Sequence, residues 1–230
     1  MNSPLLDKIR SRGYWEVIIR PANFKKDRIP DINNLLDIVR QRCVKIRGWD
    51  FPHFDMQEAS HIDLDWVGQE LEWQHFLSAW RFYQSGLFVH IAGNRIDWRD
   101  QSNFWRADLN WQPNNLFGVA DSLFIFHEVF EFAARLSLSE AGDDTMFVSI
   151  SACNIAKRKL YLDDAPAFGY IQPYISSLQN FPYSLQISKS ELVSKPIEFA
   201  LVAASELFKR FGWRVNPDDL RSIHDRILKR

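Results

Sequence analysis

Between Glu72 and Ile91 the chain concentrates its bulk. Trp73, Phe76, Leu77, Trp80 and Tyr83 recur at i, i+3, i+4, i+7 and i+10, and after Gln84-Ser85-Gly86 comes the run Leu87-Phe88-Val89-His90-Ile91. The spacing of the first group places it on one stripe of a helix, and a stripe of that size has to be buried. Gly86 can take the left-handed conformation that commonly closes a helix. The stretch therefore predicts a helix over 72–83 that passes through a glycine cap into a strand over 87–91 covered on both faces. Seven of the nine tryptophans fall between Trp49 and Trp111, so the rest of the fold has to be arranged around this unit.

The flanking patterns are simpler. Residues 3–11 predict a short helix, Tyr14 to Arg20 a strand stopped by Pro21, and Ile32, Leu35, Leu36 and Val39 a helix capped by Asp31. A strand over Cys43–Arg47 completes a β-α-β unit, Gly48 to Phe54 reads as an ordered loop, and His61 to Val67 alternates as a half-exposed strand. From Asp121 to Ser137 a wide apolar arc predicts a core helix, with His127, Glu128, Glu131 and Arg135 on its remaining, solvent-facing side. Strands around Phe147–Ile150 and Lys159–Leu162 read as a hairpin-like pair, Tyr183–Ile187 as a strand, and Pro196 to Gly212 and Asn216 onward as helices. No repeat or linker interrupts the pattern. The expected architecture is one α+β domain over 1–230, with mixed sheet segments packed by the central Trp-rich helix and two long helices of the C-terminal half; a division near residue 115 or 140 is the alternative. Trp73, Phe76, Trp80, Phe88, Phe126, Phe130, Phe199 and Phe208 are the expected core.

Charge and cysteine usage exclude several classes. The formal net charge of −1 gives no whole-molecule field to gather nucleic acid or anionic lipid. The charge is segregated, however. Residues 1–47 hold 11 Lys and Arg against 5 Asp and Glu, while residues 48–80 hold 7 acidic residues and no Lys or Arg. Two such segments either neutralise each other side by side or present a bipolar surface to a partner. Cys43 and Cys153 have no Cys-x-x-Cys or Cys/His spacing, so neither a disulfide framework nor a structural zinc is indicated. With no signal-like leader and no window of membrane-spanning apolar length, a soluble, cytoplasmic protein is expected.

Two groups can carry chemistry. In His127-Glu128-Val129-Phe130-Glu131, His127 and Glu131 share a helix face at i, i+4 and could grip a metal, but the second His of the H-E-x-x-H hydrolase motif is Glu here. The alternative is an exposed polar stripe with a Glu131–Arg135 pair. The loop Arg47-Gly48-Trp49-Asp50-Phe51-Pro52-His53 crowds a cation, an indole, a carboxylate and an imidazole together. Arg47, Trp49 and His53 are candidate binding residues there, with Arg81 and Tyr83 flanking the central unit. The structural alternative has Trp49 and Phe51 capping the core and Arg47 pairing with Asp50. If the loop is a binding surface, Arg47 and His53 can both be removed with little loss of stability. His90, in an apolar strand, reads as a hydrogen-bonded core histidine. No G-x-S-x-G, P-loop or dinucleotide turn is present in the sequence.

The segments Arg12-Gly13-Tyr14-Trp15, Arg47-Gly48-Trp49-Asp50-Phe51-Pro52-His53 and Trp80-Arg81-Phe82-Tyr83-Gln84-Ser85-Gly86 resemble an uncharacterised bacterial family whose members occur alone or appended to Schlafen-type ATP-binding domains. The resemblance covers about the first 100 residues. It implies a bacterial, intracellular setting and regulatory or defence work and brings no known activity or catalytic residue; no cofactor is expected. The functional expectation is a non-catalytic interaction module with a protein partner or a second copy of itself. A metal-dependent hydrolase or nuclease using Glu128 and Glu131 or Asp63 and Asp65, and a single-stranded nucleic-acid binder using aromatic stacking, are the alternatives.

Overall fold

Alternation near the start of the chain sets the frame. In β1 (Tyr14–Pro21) every second side chain, Trp15, Val17, Ile19 and Pro21, turns inward. The computed structural model describes residues 3–54, 60–99, 111–161 and 173–228. Within them, β1 is preceded by α1 (Pro4–Arg10) and followed by α2 (Asn34–Arg42), β2 (Val44–Lys45), β3 (Asp50–Phe51), β4 (His61–Ile62), β5 (Trp66–Trp73), β6 (Phe76–Tyr83) and β7 (Phe88–Gly93). A 3-10 turn (Arg95–Trp98), β8 (Leu116–Gly118), α3 (Val119–Ser137), β9 (Thr145–Cys153), β10 (Lys159–Tyr161), β11 (Asn180–Ser188), α4 (Lys189–Ser194), α5 (Pro196–Lys209) and α6 (Pro217–Leu228) complete the order.

The fold is α+β. Seven strands form one sheet in the order β11-β9-β1-β7-β6-β5-β4, every neighbour antiparallel, and β8 with β10 makes a separate parallel pair. On one face lies α3, apolar nearly all round because it is covered twice: Phe126 meets Trp15 and Phe132 meets Phe88 of the sheet, while Phe130 stacks on Phe199 of α5. The other face is covered in part by α1, whose Leu6 and Ile9 pack on Leu77, Ala79 and Ile91. Ser3 caps α1 by accepting the Leu6 N–H, and Pro4 occupies its first turn. Among the described residues no helix is long and apolar enough to cross a membrane.

A buried ion pair ties the sheet to its margin. Arg158 Nη1 donates to Asp97 Oδ1 at 2.8 Å and to the Leu116 carbonyl at 3.0 Å, and the other carboxylate oxygen of Asp97 accepts the Gly13 N–H at 3.1 Å. Gly13 has to be glycine at this point, since a Cβ would collide with the Arg158 guanidinium.

The expected central helix is instead a hairpin. β5 and β6 pair from Trp66↔Tyr83 to Trp73↔Phe76 around Gln74-His75, with Gln74 at φ 52°. Bulk falls on both faces of β6, with Phe76, Trp80 and Phe82 toward α3 and Leu77, Ala79 and Tyr83 on the other side, so the sum of two strand faces imitates a helical stripe. Trp73, at the hairpin end, is 57 % exposed, and Phe76 and Phe199 are half-buried; the other five expected core residues are buried.

Smaller differences have similar causes. Phe147–Ile150 does not pair with Lys159–Tyr161: β9 lies between β1 and β11, and β10 pairs with β8. The expected strand over 61–67 is interrupted at 63–65, where Asp63 accepts the Trp66 indole N–H. Asp31 accepts the Asn33 N–H one turn before α2, and Asn33 is the N-cap position. Cys43 is the C-cap of α2 rather than a strand residue, and β2 has only two residues. Trp105 and Leu162 lie outside the described residues.

Candidate functional site

The turn between β2 and β3 reverses at Gly48, whose φ of 90° suits glycine, and this delivers Arg47 and Trp49 to the face of the sheet occupied by α3. Opposite them, Asp121, Ile125 and Glu128 share one side of α3 at i, i+4 and i+7. The floor is formed by Phe76 and Ser78 of β6 and by His90 and Ala92 of β7, which alternation places on this face. The result is a cleft with a cavity of about 100 Å³.

Its charges are already paired. Arg47 donates through Nε and Nη2 to the two oxygens of Glu128 at 2.8 and 2.7 Å, and through Nη1 to Asp121 Oδ1 at 3.2 Å. The Glu128 side chain is 0 % exposed and that of Arg47 14 %. Burial works against the Arg47 charge, but Glu128 and then Asp121 outweigh it, holding the guanidinium above its ordinary range. Arg95 approaches Asp121 at 3.9 Å. The Trp49 ring has both guanidiniums within cation–π range, Arg47 at 5.2 Å and Arg95 at 5.1 Å, and meets Phe76 edge-on at 4.8 Å.

Three histidines contribute differently. Burial, and then Arg47, pushes the His90 imidazole down to about 3, so it is neutral. It sits edge-on to Phe51 at 5.1 Å, buried as a core histidine should be, and its Nδ1 has no hydrogen-bond partner among the described residues. His53 accepts the Trp80 indole N–H through its main-chain oxygen at 3.1 Å, while its buried Nδ1 has no hydrogen-bond partner among the described residues. His75, at the β5–β6 turn, lies beside Phe76 at 4.5 Å.

The sequence-predicted site residues divide between two faces. Arg47, Trp49 and His53 all line the cleft. Arg81 and Tyr83 are on the opposite side of the sheet, where the Arg81 guanidinium lies 3.9 Å over the Trp66 ring and Tyr83 packs against the same indole. Arg47 does not pair with Asp50, whose partner is Lys45 at 3.3 Å. Lys8 of the basic segment reaches Glu72 of the acidic one, so part of the segregated charge is neutralised within the fold.

The polar side of α3 was expected to face solvent, yet Glu128 and His127 are buried. His127 Nδ1 lies 2.9 Å from His224 Nε2 of α6, and only the Glu131–Arg135 pair, at 3.0 Å, is of the expected kind. Among the described residues no group of three or more His, Cys, Asp or Glu is placed to hold a metal ion. Asp63 and Asp65 stay exposed in the β4–β5 turn. Burial, and then Asp50, pushes the Cys43 thiol up to about 12, far from the range of a reactive thiolate. No family model, no curated protein and no solved structure matches the chain.

Proposed function

We propose that the protein is a non-catalytic binding module and that its site is the cleft between the Arg47–His53 loop, α3 and the β6–β7 face. The observation that carries this reading is the state of the acidic side chains. The three carboxylates lining the cavity are all engaged, Glu128 and Asp121 by guanidiniums and Asp50 by Lys45, whereas a metal-dependent hydrolase needs carboxylates open to the ion. What remains to meet a ligand is aromatic and aliphatic surface at Trp49, Phe76, Ile125 and Ala92. A preformed, mostly apolar pocket with a few converging polar groups is the usual form of a small-ligand site. A role in a bacterial regulatory or defence system is consistent with such a module, and it rests on the resemblance of the first 100 residues alone.

The test is occupancy. Benzene titrated into labelled protein should shift the NMR signals of the Ile125 methyls and the Trp49 indole, and Ala92→Leu, which fills the floor without touching the ion network, should abolish the shifts while leaving the fold intact. Shifts confined to other residues, or unchanged by Ala92→Leu, would remove the cleft from consideration.

A further inference from the structure

Among the polar atoms of the cleft wall shielded from water, Asp121 Oδ2, His90 Nδ1 and His53 Nδ1 have no hydrogen-bond partner among the described residues; Asp50 Oδ1 is shielded as well but lies 3.3 Å from Lys45 Nζ. Buried polar atoms are bonded in the large majority of cases, and each exception asks for an explanation. Three exceptions on one cavity wall are half of an interaction.

Their chemistry restricts the other half. The Asp121 carboxylate is held through Oδ1 by Arg47, with Arg95 nearby, which leaves Oδ2 as the free acceptor. A ligand must meet it with an N–H or O–H donor. Neutral His90 has one donating and one accepting nitrogen, so its Nδ1 can serve the adjoining ring edge in either tautomer. Arg47 and Arg95 offset Asp121 and Glu128, and Asp50, the third carboxylate of the lining, pairs with Lys45, so the wall is neutral overall; a further charge in this apolar space would be unpaired, so the inserted group is uncharged. The aromatic walls at Trp49 and Phe76 favour a flat group. A cavity of about 100 Å³, against the roughly 150 Å³ that holds benzene in an engineered core, takes one ring at most, with part of that ring and the rest of the ligand left in the open mouth.

We infer that the cleft binds an uncharged single-ring N-heteroaromatic group bearing an amino donor, the aminopyrimidine class, with the amino group on Asp121 Oδ2, a ring edge on His90 and the ring face against Trp49. This rests on the cleft being a ligand site at all. The same ring is found in a free base, a nucleotide and a polynucleotide, and the probes separate these sources.

Calorimetric titrations of the full chain with cytosine, 2-pyrimidinone (the same ring without the amino group), benzene, cytidine 5′-monophosphate and oligocytidylate test the assignment. Cytosine should bind at least tenfold more tightly than 2-pyrimidinone. Asp121→Asn, which keeps an acceptor for Arg47, should erase that ratio while benzene binding is retained, and His90→Phe should weaken cytosine more than benzene. Equal binding of cytosine and 2-pyrimidinone overturns the inference, as does binding of only the phosphate-bearing probes. Binding of benzene without any pyrimidine overturns the inference and leaves the cleft as an apolar site. If none of the five probes binds, the site itself is lost along with the inference.

Discussion

Replacing Arg47 by alanine isolates the interaction on which the cleft is built. The substitution deletes a bidentate partner at 2.7 and 2.8 Å and leaves the Glu128 carboxylate, 0 % exposed, with no counter-charge bonded to it. Breaking a buried pair from one side typically costs about 3–5 kcal/mol, because the surviving charge stays desolvated. Arg47 retains 14 % exposure and Arg95 stays near Asp121, which favours the lower half of that range. For a chain of this length each kcal/mol moves the melting temperature by roughly 2–4 °C, so the loss should be at least about 6 °C. Removing both partners as Arg47→Met with Glu128→Leu takes away the stranded charge and should recover most of that stability.

The single and double variants together supply the readout. Reversible denaturant titrations of the wild type and both variants at pH 7 measure the losses. A loss below 1 kcal/mol, or a double variant as unstable as the single one, would refute the argument that Arg47 is held as a structural cation beneath the cleft.

Other perturbations separate the two faces of the hairpin and the two ends of the molecule. Trp80→Ala should cost about 3–5 kcal/mol, since its 1 % exposed indole fills the core and donates to the His53 carbonyl, whereas Trp73→Ala should cost less than about 1 kcal/mol; equal losses in denaturant titration would reject the strand assignment. Arg158→Ala should cost about 3–5 kcal/mol by stranding Asp97, and a loss within 1 kcal/mol would show that this pair does not tie β1 to β8. Acid should destabilise the protein early: burial, and then His224, lowers His127 to about 4, burial lowers His224, and burial followed by Arg47 lowers His90 to about 3. Each is depressed in the fold, so the stabilisation is complete above the unfolded value near 6.5 and is lost as pH falls from there toward 3–4, by at most about 1.4 kcal/mol per pH unit for each group. Asp225 beside His224 opposes that loss, so His127→Gln should flatten only part of the slope between pH 6.5 and 4.5, and a stability constant over that interval would contradict the neutral pair.

Where a single period ran the length of an element, the sequence was a sound guide to the fold. β1 alternates through eight residues, and α3 and α5 keep their apolar arcs for four or five turns, which is enough to make the class α+β legible. The hairpin of β5 and β6 was not legible, because Gln74-His75 contains none of the Gly, Asn or Asp residues that usually announce a two-residue turn. The same limit governs the site. Crowding of Arg47, Trp49 and His53 in one loop was visible, but the partner that fixes Arg47 is 81 residues away on α3, on a face that helical periodicity alone assigned to water. Strand parity accounts for the remaining error. With 72–83 read as a helix, Arg81 and Tyr83 fall beside the loop; with β6 in place, the even-numbered Phe76, Ser78 and Trp80 face α3 and the odd-numbered residues face α1 and Trp66. Replacing a 3.6-residue period by a two-residue one thus exchanges which side chains can meet Arg47, and it brings Phe76 and Ser78 rather than Arg81 to the site.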